Sequence, residues 1–114
     1  MIKSEISKIT AKILINIGAI NFSPQSPFKL SSGFLSPSYI DCRKIIAYPS
    51  AFKEITDMMI DTIKSEMVAQ SPDYIIGGET AGIPFAAAIA EKMGLPLSYV
   101  RKKPKDYGKS KLIE

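Results

Sequence analysis

The sequence predicts an α/β fold, and three features predict it. Isoleucines recur at helical spacing over residues 2–20, and a second amphipathic stretch follows Pro49. From Asp73 to Val100 the order is apolar run, glycine-rich turn, alanine-rich stretch, apolar run. That order is a βαβ unit, which implies parallel strands. At 114 residues the chain suits one domain with a single hydrophobic core.

Each element has its own local reason. Ile2, Ile6, Ile9, Ile13, Ile17 and Ile20 are spaced by three and four, with Lys3, Glu5, Lys8, Lys12 and Asn16 between them. The pattern gives an amphipathic helix, and Gly18 suits the left-handed residue that closes one. Residues 21–39, "NFSPQSPFKLSSGFLSPSY", are rich in proline and serine. Proline removes amide donors and serine competes for backbone hydrogen bonds, so irregular chain or short edge strands are expected. "YIDCR", Tyr39–Arg43, reads as a short strand. Pro49 suits a first helical position. Behind it Phe52, Ile55, Met59, Ile63 and Met67 share one face and Lys53, Asp57, Asp61 and Lys64 the other, in a helix that ends before Pro72. "DYIIGG", Asp73–Gly78, reads as a buried strand and "AGIPFAAAIAEKMG", Ala81–Gly94, as a helix capped by Gly94. "LPLSYV", Leu95–Val100, supplies the next strand.

Composition narrows the chemistry. Hydrophobic content of 46% and charged content of 23% are ordinary for a soluble globular protein. No apolar run reaches membrane-spanning length, and Met1–Lys3 is not followed by a signal-peptide core. The single cysteine, Cys42, rules out an internal disulfide framework and fits a reducing cytoplasm. It reads as a packed small residue more than a nucleophile, because no base is available to activate it. With no histidine in the chain, the commonest general base and transition-metal ligand are missing. Chemistry here must use lysine, carboxylates, backbone amides or a bound hard cation.

The charge is unevenly placed. The chain holds 15 basic and 11 acidic residues, a net charge of +4; residues 101–114 hold six and two of these, so residues 1–100 are balanced. The segment "RKKPKDYGKSKLIE" reads as a solvated tail, as a loop whose lysines swing in to neutralise a polyanion, or, last, as a nucleic-acid contact. Tyr99 and Tyr107 alone are too few aromatics for a base-stacking platform. "GGETAGIP", Gly77–Pro84, sits at the strand-to-helix turn. It reads as an ordinary tight turn or as a phosphate or pyrophosphate cradle. Glycines admit close backbone approach, and the first helical amides lack internal partners. It matches neither the Walker A nor the dinucleotide GxGxxG pattern. The serines and aromatics of "FKLSSGFLSPSYIDCR", Phe28–Arg43, suit the rim of a pocket for a planar ligand.

In this order the three segments resemble the orotate phosphoribosyltransferases, a family that joins orotate to phosphoribosyl pyrophosphate in pyrimidine (UMP) synthesis. "FKLSSGFLSPSYIDCR" is similar to its N-terminal signature, "GGETAGIPFAA" to its pyrophosphate loop and "YVRKKPKDYGKSKLIE" to its flexible catalytic loop. The resemblance runs from about Ile9 to Glu114. It implies a partial type I phosphoribosyltransferase fold, with an N-terminal helix and hood segment over 1–48. A helix and the βαβ core of a parallel sheet follow over 49–100, then a flexible basic loop over 101–114, with the family's C-terminal half absent. It assigns Arg101, Lys102 and Lys105 to catalysis through phosphate contacts, and Ser31, Tyr39 and Ile40 to orotate. Glu79, Thr80, Ala81, Gly82 and Tyr107 fall to pyrophosphate. Mg²⁺ is expected to arrive with phosphoribosyl pyrophosphate and not at a dedicated protein site. A cytoplasmic homodimer is expected, with loop 101–114 reaching the neighbouring subunit and neither nucleic acid nor membrane as a partner.

Some positions depart from the family pattern. Ser31 stands where many members carry a substrate-contacting lysine, Ala81 where some carry another lysine, and Tyr107 where histidine is common. The family's acidic pair and its Thr- and Gly-rich turn, which hold the ribose hydroxyls and the 5′-phosphate, have no counterpart in residues 1–114. The expectation is a chain that is inactive alone. An inactive remnant or an assembly protein of the same family is the alternative, and a small basic nucleic-acid-binding protein ranks below both.

Overall fold

The structure is a computed structural model and describes residues 1–104 and 106–114. Its contacts divide the chain into two units, Met1–Lys53 and Glu54–Glu114.

The first unit opens with helix α1, Lys3–Asn16. Gly18, at φ +72°, closes it. The Ala19 amide returns to Leu14 O at 2.9 Å and the Gly18 amide to Ile15 O at 3.1 Å, the paired bonds of a Schellman cap. Ile13 and Leu14 are buried while Ile2 and Ile15 are exposed. Strands β1 (Ile20–Phe22), β2 (Phe28–Lys29), β3 (Leu35–Ser36) and β4 (Ser38–Ile40) follow. β1 pairs antiparallel with β4, Asn21 opposite Tyr39, and β2 pairs antiparallel with β3, Phe28 opposite Ser36. Ladders this short are what the prolines allow.

The strand expected over Tyr39–Arg43 is corrected: β4 stops at Ile40, and Cys42–Ala47 is a 3₁₀ helix. The cause is Asp41, whose carboxylate accepts the Arg43 amide at 3.2 Å and caps the turn. Short acidic side chains that bond the backbone two residues on compete with a strand ladder.

Helix α2, Pro49–Glu66, begins at the expected proline. Its buried face differs from the expected one. Ala51, Ile55, Thr56, Met58 and Ile60 are buried, whereas Met59 is 40% and Met67 39% exposed. In the second unit, β5 (Ile75–Gly78) and β6 (Leu97–Val100) pair in parallel, in register from Ile75 opposite Leu97 to Gly78 opposite Val100. Helix α3, Gly82–Met93, connects them and packs mainly on β5. Gly94, at φ +68°, closes α3 with a second Schellman pair, Leu95 amide to Ala90 O and Gly94 amide to Glu91 O.

β5 is not buried on both faces as the apolar run suggested. Gly77 is covered by α3, but Ile76 is 54% exposed. Tyr74 and Ile76 line an open groove of about 440 Å³ with Met59, Ile63 and Phe85. The reason is that α3 covers one face of a two-stranded sheet. Finally, the end of the basic segment folds back. The Tyr99 and Glu114 backbones exchange hydrogen bonds at 3.0 and 2.8 Å, and Val100 bridges antiparallel to Ile113.

Candidate active site

β5 ends at Gly78, and α3 begins at Gly82. Gly77 is the close-approach residue: a Cβ there would lie 2.8 Å from Ala86 Cβ and 2.9 Å from Gly82 O. The turn between strand and helix is held by the Glu79 amide donating to Val100 O at 2.9 Å and the Ile83 amide donating to Thr80 O at 3.2 Å. The Glu79–Thr80 peptide is cis. α3 has no side-chain cap, since Ala81 occupies that position. Among the described residues, the amides of Thr80, Ala81 and Gly82 donate no hydrogen bond. Three consecutive unpaired N–H groups at the positive end of a helix dipole form a surface that favours an anion.

The start of the basic segment lies beside this turn. β6 ends at Val100, opposite Gly78, so Arg101 and Lys102 follow directly where Glu79 and Thr80 follow β5. The Lys102 amide donates to Glu79 Oε1. Arg101 is half-buried, and its Nε is buried with no hydrogen-bond partner among the described residues. A donor left in this way costs about 1–3 kcal/mol until something accepts from it. Lys102 and Tyr107 are exposed. Lys105 lies outside the described residues.

Ser31, Tyr39 and Ile40 belong to the first unit. Ser31 is exposed in the turn joining β2 to β3, where the Gly33 amide donates to Leu30 O at 2.9 Å. Gly33 has a φ of +92°, which glycine adopts without strain. Ile40 is exposed at the end of β4, and Tyr39 is half-buried with its ring 5.8 Å from that of Phe28. Arg43 links Tyr39 to the turn that follows β4. Its Nε donates to Asp41 Oδ1 at 2.8 Å and its Nη2 to the Tyr39 hydroxyl at 3.4 Å. The Arg43 hydrogen bond holds the Asp41 carboxyl below the usual aspartate range. Asp41 and Arg43 were not among the sequence-based candidates. Their spacing of two is the mark of a self-capped turn and was the available signal.

No protein-family model matches the chain. Among curated proteins, the orotate phosphoribosyltransferase of Cereibacter sphaeroides is 52% identical over 112 residues, which is 98% of this chain and 48% of that protein. Over 98% of its own length the chain is similar to the orotate phosphoribosyltransferases. It spans about half the length of the curated relatives it matches, and corresponds to their N-terminal portion. Among solved structures, the orotate phosphoribosyltransferase of Aeropyrum pernix aligns with a TM-score of 0.67 at 35% identity, covering 81% of this chain and 52% of that one. The UMP synthase of Leishmania donovani aligns with a TM-score of 0.66 at 30% identity, covering 93% and 21%. The mixed helices and parallel sheet are those of a type I phosphoribosyltransferase fold. No described helix is long and apolar enough to cross a membrane.

Proposed function

We propose that this chain carries the leaving-group side of an orotate phosphoribosyltransferase in pyrimidine (UMP) synthesis. In that reaction the C1–O bond of phosphoribosyl pyrophosphate breaks through an oxocarbenium-like state, an orotate nitrogen bonds to C1, and pyrophosphate departs with the C–O electron pair. The amides of Thr80, Ala81 and Gly82 bind the departing pyrophosphate, and Arg101, Lys102 and Lys105 offset its growing charge. The catalytic effect is positioning and charge stabilisation at the breaking bond, with no covalent nucleophile required. Ser31, Tyr39 and Ile40 form the orotate side, and Tyr107 adds a contact to pyrophosphate.

The observation that carries the reading is the meeting of two unsatisfied donor sets at one sheet end. These are the three turn amides and the buried Arg101 Nε, none of which has a hydrogen-bond acceptor among the described residues. No group of three or more Asp, Glu, Cys or His side chains gathers among the described residues. We propose that Mg²⁺ arrives carried by the phosphoribosyl pyrophosphate oxygens and not at a dedicated protein site. We further place the protein in the cytoplasm as a homodimer in which segment 101–114 reaches the neighbouring subunit. The exposed free thiol of Cys42 suits a reducing compartment.

Pyrophosphate titration followed by amide and arginine side-chain resonances tests the reading. Shifts at residues 78–83, at the Arg101 Nε–H and at Lys102 and Tyr107 at millimolar ligand, weakened in Arg101→Ala, are expected. No movement of those resonances would refute it.

A further inference from the structure

Glu79 is a poor choice as a direct ligand of pyrophosphate. A carboxylate close to a polyanion opposes binding, and Glu79 is half-buried, where solvent screens less. The structure gives this side chain another partner, the backbone N–H of Lys102.

The register explains why that partner is within reach. In a parallel ladder, a residue that donates to one residue of the neighbouring strand accepts from the residue two places further on. Glu79 donates its amide to Val100 O at 2.9 Å, so the next rung would run from the Lys102 amide to Glu79 O. Here the main chain turns away into α3, and the side-chain carboxylate accepts that bond instead. The ladder is thereby prolonged one step beyond both strands.

The bond uses the Lys102 backbone and leaves its ammonium for another anion. On the far side, the Arg101 amide is held by Leu112 O at 2.7 Å. Both backbone positions that carry the first two cations of the basic segment are therefore fixed next to the unpaired turn amides.

We propose that Glu79 is a positioning residue: its carboxylate latches the root of the basic segment to the pyrophosphate turn and holds Arg101 and Lys102 in place before ligand arrives. The consequence for ligand rests on the pyrophosphate reading above; the latch itself does not. A root that is already ordered loses less conformational freedom on binding. Residues further along the segment gain nothing from this device.

Amide hydrogen exchange in the ligand-free protein decides the matter, with pyrophosphate titration as a second arm. In Glu79→Ala the Lys102 amide should exchange about tenfold faster or more, as expected when a charge-assisted bond is lost. The Ile75 amide, bonded to Pro96 O in the sheet, should keep its protection. Glu79→Gln retains an acceptor oxygen of the same reach and should stay within about threefold of the parent, since a neutral acceptor is only moderately weaker. Glu79→Asp keeps the charge but is one methylene short, and should behave like Glu79→Ala; it carries the test if the alanine variant does not fold. Pyrophosphate should bind about five- to tenfold more weakly to Glu79→Ala, whereas Glu79→Gln should match or exceed the parent.

Unchanged Lys102 exchange in Glu79→Ala and Glu79→Asp would overturn the latch. So would tighter pyrophosphate binding by Glu79→Ala, because that would mark the carboxylate as a repulsive charge alone. If pyrophosphate fails to bind the parent protein, the functional reading falls, and the exchange arm still decides the latch.

Discussion

Replacing Gly77 by alanine puts a methyl group where β5 and α3 leave no room. The new Cβ would stand 2.8 Å from Ala86 Cβ and 2.9 Å from Gly82 O, against a normal carbon contact of about 3.5–4.0 Å. Neither neighbour can swing aside. Ala86 has no side-chain torsion to adjust, and the Gly82 oxygen is main chain at the start of α3. The helix must move off the strand by several tenths of an ångström, and overpacking of this kind costs about 1–3 kcal/mol. With a urea m-value of about 1–3 kcal/mol per molar, the unfolding midpoint should fall by roughly 1 M with m unchanged. Gly78→Ala is the internal control, since nothing lies within 4 Å of a Cβ there. Its φ is not in the left-handed region, so the substitution should be neutral or stabilise by up to about 1 kcal/mol through the unfolded chain. The two variants also separate in function. Gly77→Ala should blunt the pyrophosphate-induced shifts at residues 80–82, because the displaced end of α3 carries them. Equal midpoints for Gly77→Ala and the parent, or an equal fall in both alanine variants, would refute the close-packing argument.

Two further predictions concern other parts of the chain. The Asp41 carboxyl is held below the usual aspartate range by its Arg43 hydrogen bond, so it stabilises the fold above the unfolded value and that contribution is lost as pH falls through the lowered folded value. A carboxyl-carbon NMR titration should give Asp41 a midpoint below that of ordinary aspartates, about 3.9, with Arg43→Gln raising it; a parent midpoint above that range contradicts the pairing. Lys92 Nζ lies 3.1 Å from the hydroxyl of buried Thr56 and 2.8 Å from Asp57 Oδ1, and Asp57 is partly exposed. Lys92→Met should destabilise by about 1 kcal/mol in urea melts, more from the Thr56 contact than from the solvent-screened ion pair, so Asp57→Asn should cost less.

What could be read in advance was what rests on periodicity and on the backbone chemistry of single residues. Gly18 and Gly94 close their helices as expected, and the strand–turn–helix–strand order around Gly77–Pro84 forms the parallel unit. The turn and the basic segment stood out in the sequence by their glycines and lysines, and the register of β5 and β6 brings their starts side by side. The buried face of α2 was not, because Met58, Met59 and Ile60 are consecutive and Ala51 and Thr56 carry little apolar signal. Period alone cannot choose among overlapping stripes. Tyr39–Arg43 was misread because one Asp41 side-chain bond outweighs strand propensity over a few residues. Pairing of β6 with residues 112–114 leaves no side-chain pattern at all, since it runs through main-chain atoms. The Glu79–Lys102 contact required the register of two strands more than twenty residues apart, and no local rule supplies that.

The return of Leu112–Glu114 to β6 changes what the basic segment is. With the Arg101 amide bonded to Leu112 O, residues 101–112 form a closed loop pinned at both ends, not an arm pinned at one. Closing a loop removes most of the volume its tip can sample, and lengthening such a loop twofold costs only about 0.6 kcal/mol more. The cations at Lys102, Lys103, Lys109 and Lys111 are thereby tethered near the end of the sheet. A tether of this kind gives a local concentration on the order of millimolar, held there without any one lysine being fixed. An anion arriving at the turn meets a standing reservoir of positive charge, and insertions within residues 104–110 should dilute that reservoir only slowly.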